Sequence, residues 1–223
     1  MRPVLLTGAC HRAGETGPVD LIRCLGAILI ACWLAGAASL AEAGNQREEA
    51  LADSVRLALS RAITDPRPPK VVIDDIEQRI RYIHWLSEMS VRLERRMPDQ
   101  QIRHEFLETV WYEARRAGLE PALVLGLIEV ESAFRKYAMS VVGARDFMQV
   151  MPFWTRVIGD GDVQKLFDLQ TNLRYGCSIL RMYIDMEKGN LFLALGRYNG
   201  SRGKAKYPNA VLAAWKKWEI IEP

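Results

Sequence analysis

Apolar residues recur along most of the chain at intervals of three and four, the period of a helix with one buried face. The segment from Gln46 to Ala62 is rich in helix formers and carries Leu51, Val55, Leu59 and Ile63 at helical spacing. Asp65-Pro66-Arg67-Pro68-Pro69 interrupts it, since clustered prolines remove backbone donors and clash with a preceding turn. A long helix is expected from about Ile73 to Met97, with Ile76, Ile80, Ile83, Leu86 and Met89 on its inward face. Pro98-Asp99 marks the next start, and Ile102, Phe106, Val110 and Trp111 carry a helix on to Ala117. Gly118 is placed to cap it, and Pro121 opens the next helix from its first turn. Pro121 to Phe134 is the most apolar stretch of this part of the chain, and further helices are expected over Thr171–Glu187, Leu191–Tyr198 and Pro208–Trp218. No stretch shows sustained period-two alternation, so the fold class is all-α.

Composition narrows this only a little. The 223 residues are 49% hydrophobic and 26% charged, which excludes a disordered chain and a polytopic membrane protein and leaves enough length for a self-sufficient core. A formal net charge of +3 is too small a bias to point to nucleic acid. The N-terminus is more specific. Arg23 precedes an apolar run, Leu25–Leu34, and a small-residue Ala41-Glu42-Ala43 site, the order of a secretory signal peptide. The eighteen uncharged residues Cys24 to Ala41 also admit an uncleaved anchor, and Leu29-Ile30-Ala31-Cys32 resembles a lipobox that would place a lipidated Cys32 at the mature terminus. The organisation expected is an export signal region at 1–43, an accessory helical segment at 44–97, and a main domain at 98–223. Cleavage after Ala43 would leave Cys177 as the one cysteine, so no internal disulfide is available and Cys177 reads as a small buried hydrophobe. Ligands for a metal or cofactor are wanting: Gly159-Asp160-Gly161-Asp162 lacks the alternating array and terminal glutamate of a calcium loop and reads as a turn.

One acidic residue falls where an ordinary surface carboxylate does not belong. In the helix from Pro121, Leu123, Val124, Leu127 and Ile128 define the inward face, and Glu131, four after Leu127 and seven after Val124, lies on it. Glu129 is expected to face outward. Desolvating a carboxylate raises its pKa, which keeps a proton available for general-acid chemistry. The same position suits a residue that merely caps or pairs at the helix end, so helix position makes Glu131 a candidate and no more.

The residues around it add to this. Glu131-Ser132-Ala133-Phe134, then Ser140, then Gly143-Ala144, then Phe147-Met148-Gln149-Val150-Met151-Pro152 resemble the soluble lytic transglycosylase domain, a lysozyme-like fold that cuts bacterial peptidoglycan. Asn172-Leu173-Arg174-Tyr175-Gly176 and Arg197-Tyr198-Asn199-Gly200 are similar to two further motifs of that family, in the same order, so the resemblance spans roughly 120–218. It implies that Glu131 is the single catalytic acid/base. It also implies that Ser140 and Gln149 line the cleft with Met151 packing against the sugar, that Tyr198 bonds Glu131 or the substrate, and that Asn199 holds that wall. One departure stands out: Asp146 occupies the position where the family usually has glycine. A positive φ there tolerates aspartate at some cost, whereas a close approach of sugar would make Asp146 narrow the cleft or act on Glu131 as a neighbouring carboxylate.

The resemblance further implies cleavage between N-acetylmuramic acid and N-acetylglucosamine with a 1,6-anhydro product and no water consumed. The partner would be peptidoglycan glycan strands, not nucleic acid, in the periplasm or cell envelope. Membrane association would follow from a retained N-terminal segment or a lipidated Cys32, and a place among cell-envelope machinery is compatible with it. Two rivals keep the fold: a hydrolytic lysozyme with Asp146 as second carboxylate, and a non-catalytic peptidoglycan-binding scaffold.

Overall fold

A computed structural model describes residues 46–64 and 73–220. The export region at 1–43, with Cys32, and the proline cluster at 66–69 lie outside the described residues. Among the described residues the regular structure is helical, with two isolated β-bridges, Met139 to Arg145 and Arg145 to Val150, inside one loop. None of the described helices is long and apolar enough to cross a membrane.

The helices are α1 (Asp53–Ile63), α2 (Ile76–Leu93), α3 (Gln100–Arg116), α4 (Pro121–Ser132), α5 (Phe153–Ile158), α6 (Leu169–Met186), α7 (Leu191–Tyr198) and α8 (Lys206–Trp218). A 3-10 turn, Val163–Phe167, leads into α6. Local chemistry sets most of the boundaries. Asp99 caps α3 by accepting from the Ile102 N–H at 2.9 Å, and Asp168 and Asn190 cap α6 and α7 in the same way. Pro121 sits in the first turn of α4, and Gly118 ends the preceding segment at φ 66°.

Helix α4 is apolar nearly all round, and such a helix belongs at the centre of a domain. It packs along α8, where Gly126 makes a close approach possible. A Cβ at Gly126 would lie 2.6 Å from the Trp215 backbone nitrogen, so no larger residue fits without separating the two helices. That contact matters because α4 carries Glu131 and α8 carries Tyr207.

Two expectations need correction. Ile76, Ile80 and Ile83, read as the inward face of α2, are exposed. The buried stripe is Tyr82, Trp85, Met89 and Leu93, because the aromatic pair packs on Trp111 with ring centroids 5.1 and 4.8 Å away and removes more apolar surface than isoleucines would. Residues 46–52, read as helix, carry no regular secondary structure, and α1 begins at Asp53.

Helix α1 lies on α6 through Leu59, and a buried ionic network fastens it. Glu113, wholly buried, accepts from Arg116 Nε at 2.7 Å and from Arg174 Nη2 at 2.8 Å. Arg116 also donates to the Ala62 carbonyl in the last turn of α1 at 3.0 Å, where a cation suits the helix dipole.

Candidate active site

Glu131 is the penultimate residue of α4 and is 3% exposed. The chain turns sharply beyond it, with Ala133 at φ 50° and Phe134 at φ 63°, so the loop that follows folds back past the helix end. The Tyr207 hydroxyl donates to Glu131 Oε1 at 2.5 Å. Tyr207 comes from the first turn of α8, whose inward stripe is Tyr207, Val211, Ala214 and Trp218. Burial, and then the Glu131 charge, push the Tyr207 hydroxyl well above its ordinary value, so it remains a donor at any physiological pH. Replacing Tyr207 by phenylalanine removes a charge-assisted bond worth about 1.5–3 kcal/mol. The expected result is a kcat lower by about 10–100-fold, a melting temperature lower by several degrees, and an alkaline limb of the pH–rate profile moved upward, because the carboxylate form loses its donor. An unaltered profile would leave Tyr207 without a part in positioning Glu131.

The loop 133–150 follows Glu131, and its side chains are occupied in holding its shape. Ser140 Oγ accepts from the Ala144 N–H at 3.0 Å and closes the turn containing Gly143. Gln149 is buried at φ 47°, and its amide nitrogen donates to the carbonyls of Ala138 (3.1 Å) and Asp146 (2.8 Å). The two residues expected to line the cleft thus spend these groups on the loop's own shape. Asn172 pins the same loop from α6: it accepts from the Met148 N–H (2.9 Å) and donates to the carbonyls of Arg145 (2.9 Å) and Leu166 (3.0 Å). Gly176, one turn on, leaves the space that Met148 fills, since a Cβ there would lie 2.3 Å from its sulfur. The Asn172–Gly176 motif is therefore the loop's foundation.

Asp146 adopts φ 59° and is fully buried. Its Oδ1 accepts from the Tyr137 N–H at 2.7 Å, and the charges acting on it are Lys136 and Asp168. Burial raises its carboxyl to about 6. Of the two alternatives, the positive-φ account describes this residue; its side chain is enclosed by its own loop.

Tyr198 was expected to bond Glu131 or substrate. Its hydroxyl donates to the Met148 carbonyl at 2.8 Å, and Glu131 is near enough for its charge to act on the phenol. Met151 is half-buried, and Asn199 is buried with its Nδ2 donating to Ser201 Oγ at 3.1 Å. Glu129, expected to face outward, is a tether. It accepts from Trp218 Nε1 at 2.7 Å and pairs with Arg96 (3.2 Å) and Lys217 (3.4 Å). Cys177 is buried, with its thiol pushed upward by desolvation, and it packs 4.0 Å from the Met148 sulfur.

Sequence reasoning missed Tyr207, which stands 76 residues from its partner and in no local motif. A signal existed in the helical stripe through Val211, Ala214 and Trp218, because a phenol on a buried face needs an acceptor. It also missed Gln46. This residue is 5% exposed, and its Oε1 accepts from Trp154 Nε1 at 2.8 Å and from the Met151 N–H at 3.4 Å.

Fold and site together define an all-α, lysozyme-like domain built around one buried carboxyl at the end of its central helix. Residues 108–221 match the model of the transglycosylase SLT domain, and the chain belongs to that family. It is 39% identical over 94 residues to the membrane-bound lytic murein transglycosylase C of Actinobacillus pleuropneumoniae serotype 5b, a stretch covering 42% of this chain and 24% of that protein. It is 36% identical over 93 residues to the protein of the same name from Glaesserella parasuis, covering 41% and 24%. It is 30% identical over 103 residues to the transglycosylase of Enterobacteria phage PRD1, covering 46% and 37%. The chain thus spans about a quarter of the length of the murein transglycosylase C relatives that it matches.

Proposed function

We propose that the protein is an exported lytic transglycosylase that cleaves the β-1,4 bond between N-acetylmuramic acid and N-acetylglucosamine in peptidoglycan. The observation that carries this reading is the single carboxyl of Glu131, buried at the end of α4 and held through Oε1 by Tyr207. Glycosidases that use water rely on two carboxyl groups flanking the bond. Here the only other acid in the matched loop, Asp146, is enclosed and bonded to Tyr137, so it offers no base to water in the cleft.

The steps follow from one group acting twice. Protonated Glu131 gives its proton to the glycosidic oxygen, the C1–O bond breaks, and the N-acetylglucosamine side leaves as an alcohol. The resulting carboxylate takes the proton of the muramoyl 6-hydroxyl as that oxygen bonds to C1, which closes the 1,6-anhydro ring and returns Glu131 to its acid form. Tyr207 holds the carboxyl in place and stabilises its charged form between the two transfers. Ser140, Gln149 and Asn172 keep the loop rigid, Tyr198 supports it from beneath through the Met148 carbonyl, and Met151 and Asn199 lie nearer the surface.

Digestion of purified sacculi, with the released muropeptides weighed, tests the reaction. The expected product is one water lighter than a reducing-end muropeptide. Reducing ends would replace this reading with hydrolysis, and binding without release would replace it with a scaffold. Export and envelope attachment belong to the same proposal. They are supported by the Arg23 to Ala43 pattern and by the membrane-bound relatives, and the mature N-terminal sequence checks them.

A further inference from the structure

Beside Tyr207 lies a cavity of about 350 Å³ whose walls include Arg47, Asn199, Ser201, Lys204, Lys206 and Tyr207. Tyr207 is the phenol that holds Glu131, so the cavity is one side chain away from the reacting group. Its character is cationic: three of these six residues carry positive charge and none is acidic.

The charge comes from two places in the chain. Lys206 opens α8, and Lys204 belongs to the segment after α7. That segment is fixed by Arg202, which grips Glu187 at 2.7 and 2.9 Å, and by the Ser201 N–H bonded to the Gly196 carbonyl at 2.7 Å. Arg47 comes from the irregular stretch before α1, outside the residues matched by the family model. It is set between two anchors: Gln46, bonded to Trp154 and Met151, and Glu49, paired with Arg197 at 2.7 Å. Arg202 is neutralised by Glu187, whereas among the described residues no ion pair engages Arg47 or Lys204. A second feature is independent of charge. Asn199 is 4% exposed, and its Oδ1 is buried without a donor, an arrangement that costs free energy until something supplies an N–H or O–H.

We propose that this cavity is a subsite for the peptide substituent of the glycan strand: Arg47 and Lys204 take a peptide carboxylate, and the Asn199 amide turns to let its Oδ1 accept a peptide N–H. The assignment rests on the glycan-cleaving reading of Glu131 and specifies its substrate. Within peptide-bearing peptidoglycan the lactyl carboxyl of muramic acid is tied up as an amide, so the negative charge and the amide N–H both reside on the peptide. The peptide-free strand carries a free lactyl carboxylate but no amide at that point. The N-terminal stretch thereby selects substrate for a domain to which it does not belong by family.

The test compares binding of soluble glycan strands with and without their peptides to full-length Glu131→Gln protein, which is expected not to degrade them. Arg47→Glu and Lys204→Glu are made in that background. Each reversal exchanges an attraction for a repulsion at a solvent-facing site and is expected to weaken binding of the peptide-bearing strand about 5–20-fold, with the peptide-free strand altered less than twofold. Raising salt should reduce the selectivity. Equal weakening for both strands, weakening confined to the peptide-free strand, or no weakening would each overturn the subsite while leaving the glycan substrate intact. Binding of neither strand by the parent would count against the glycan substrate itself, and the subsite would fall with it. Retained cooperative unfolding in the two variants separates these outcomes from misfolding.

Discussion

Glutamine in place of Glu131 is expected to lower the rate of glycan cleavage by about 10²–10⁴-fold, the usual contribution of a positioned general acid–base. The loss belongs at the upper end because the same group must first give a proton and then take one. The substitution is close to isosteric, and its amide oxygen can still accept from Tyr207, so the bond between α4 and α8 survives. Thermal unfolding should therefore stay near the parent's, and kcat should fall with little change in KM, since what is removed is a proton transfer and not a binding contact. The informative control is Glu129→Gln. Two residues away on the same helix, Glu129 binds Trp218, Arg96 and Lys217, so its replacement should reduce stability and leave kcat alone. Activity of Glu131→Gln within a few-fold of the parent would remove the assignment of the acid.

How far the sequence reveals this arrangement depends on the range of the interactions. Helix ends were legible because their chemistry is local: Asp99 before α3, Pro121 inside α4 and Gly118 at positive φ each act within a turn of their own position. The depth of Glu131 was legible because α4 is short and apolar, so a residue on its inward face has nowhere else to go. What faces α2 was not, because two apolar stripes compete on that helix. The winner is decided by Trp111 on another helix, which offers an aromatic surface to Tyr82 and Trp85. Glu129 misled for a related reason, since the groups that cover it arrive from Arg96 and from the end of α8. The roles of Ser140, Gln149 and Asn172 differ from a plain motif reading in kind: they bond to the backbone of the loop, so these residues act by shaping it. Nothing in the stretch 46–49 announces that it will dock beside Tyr198 and Tyr207. Its apolar content is negligible, and its attachment runs through side-chain pairs spanning more than a hundred residues.

Asp146 makes the protein's stability pH-dependent in a definite direction. Its carboxyl is raised from an ordinary value of 3.8 to about 6, chiefly because burial disfavours the charged form, while the N–H groups of Tyr137 and Phe147 and the charge of Lys136 pull the other way. A raised acid binds its proton more tightly in the folded chain than in the unfolded one. Stability from this group is therefore complete below about pH 4 and is lost as pH rises through about 6. At about 1.4 kcal/mol per pH unit the loss amounts to about 3 kcal/mol. Asparagine fits the same φ of 59°, and its amide oxygen can accept from the Tyr137 N–H, but it carries no charge at any pH. Asp146→Asn is therefore expected to fall slightly below the parent near pH 4 and to exceed it by about 1–3 kcal/mol at pH 8 in urea unfolding. The gain stays below the full figure because the amide nitrogen takes the place of Oδ2, a buried atom with no partner, and a buried donor without an acceptor is also costly. Parallel stability curves for the two proteins between pH 4 and 8 would show that Asp146 does not titrate in this range, and its burial would then need another source of compensation. A crossing in the opposite sense, with the variant weaker at high pH, would mean that the ionised carboxylate is the form the loop is built to hold. The cost would then lie in losing it, and the Tyr137 N–H would outweigh desolvation.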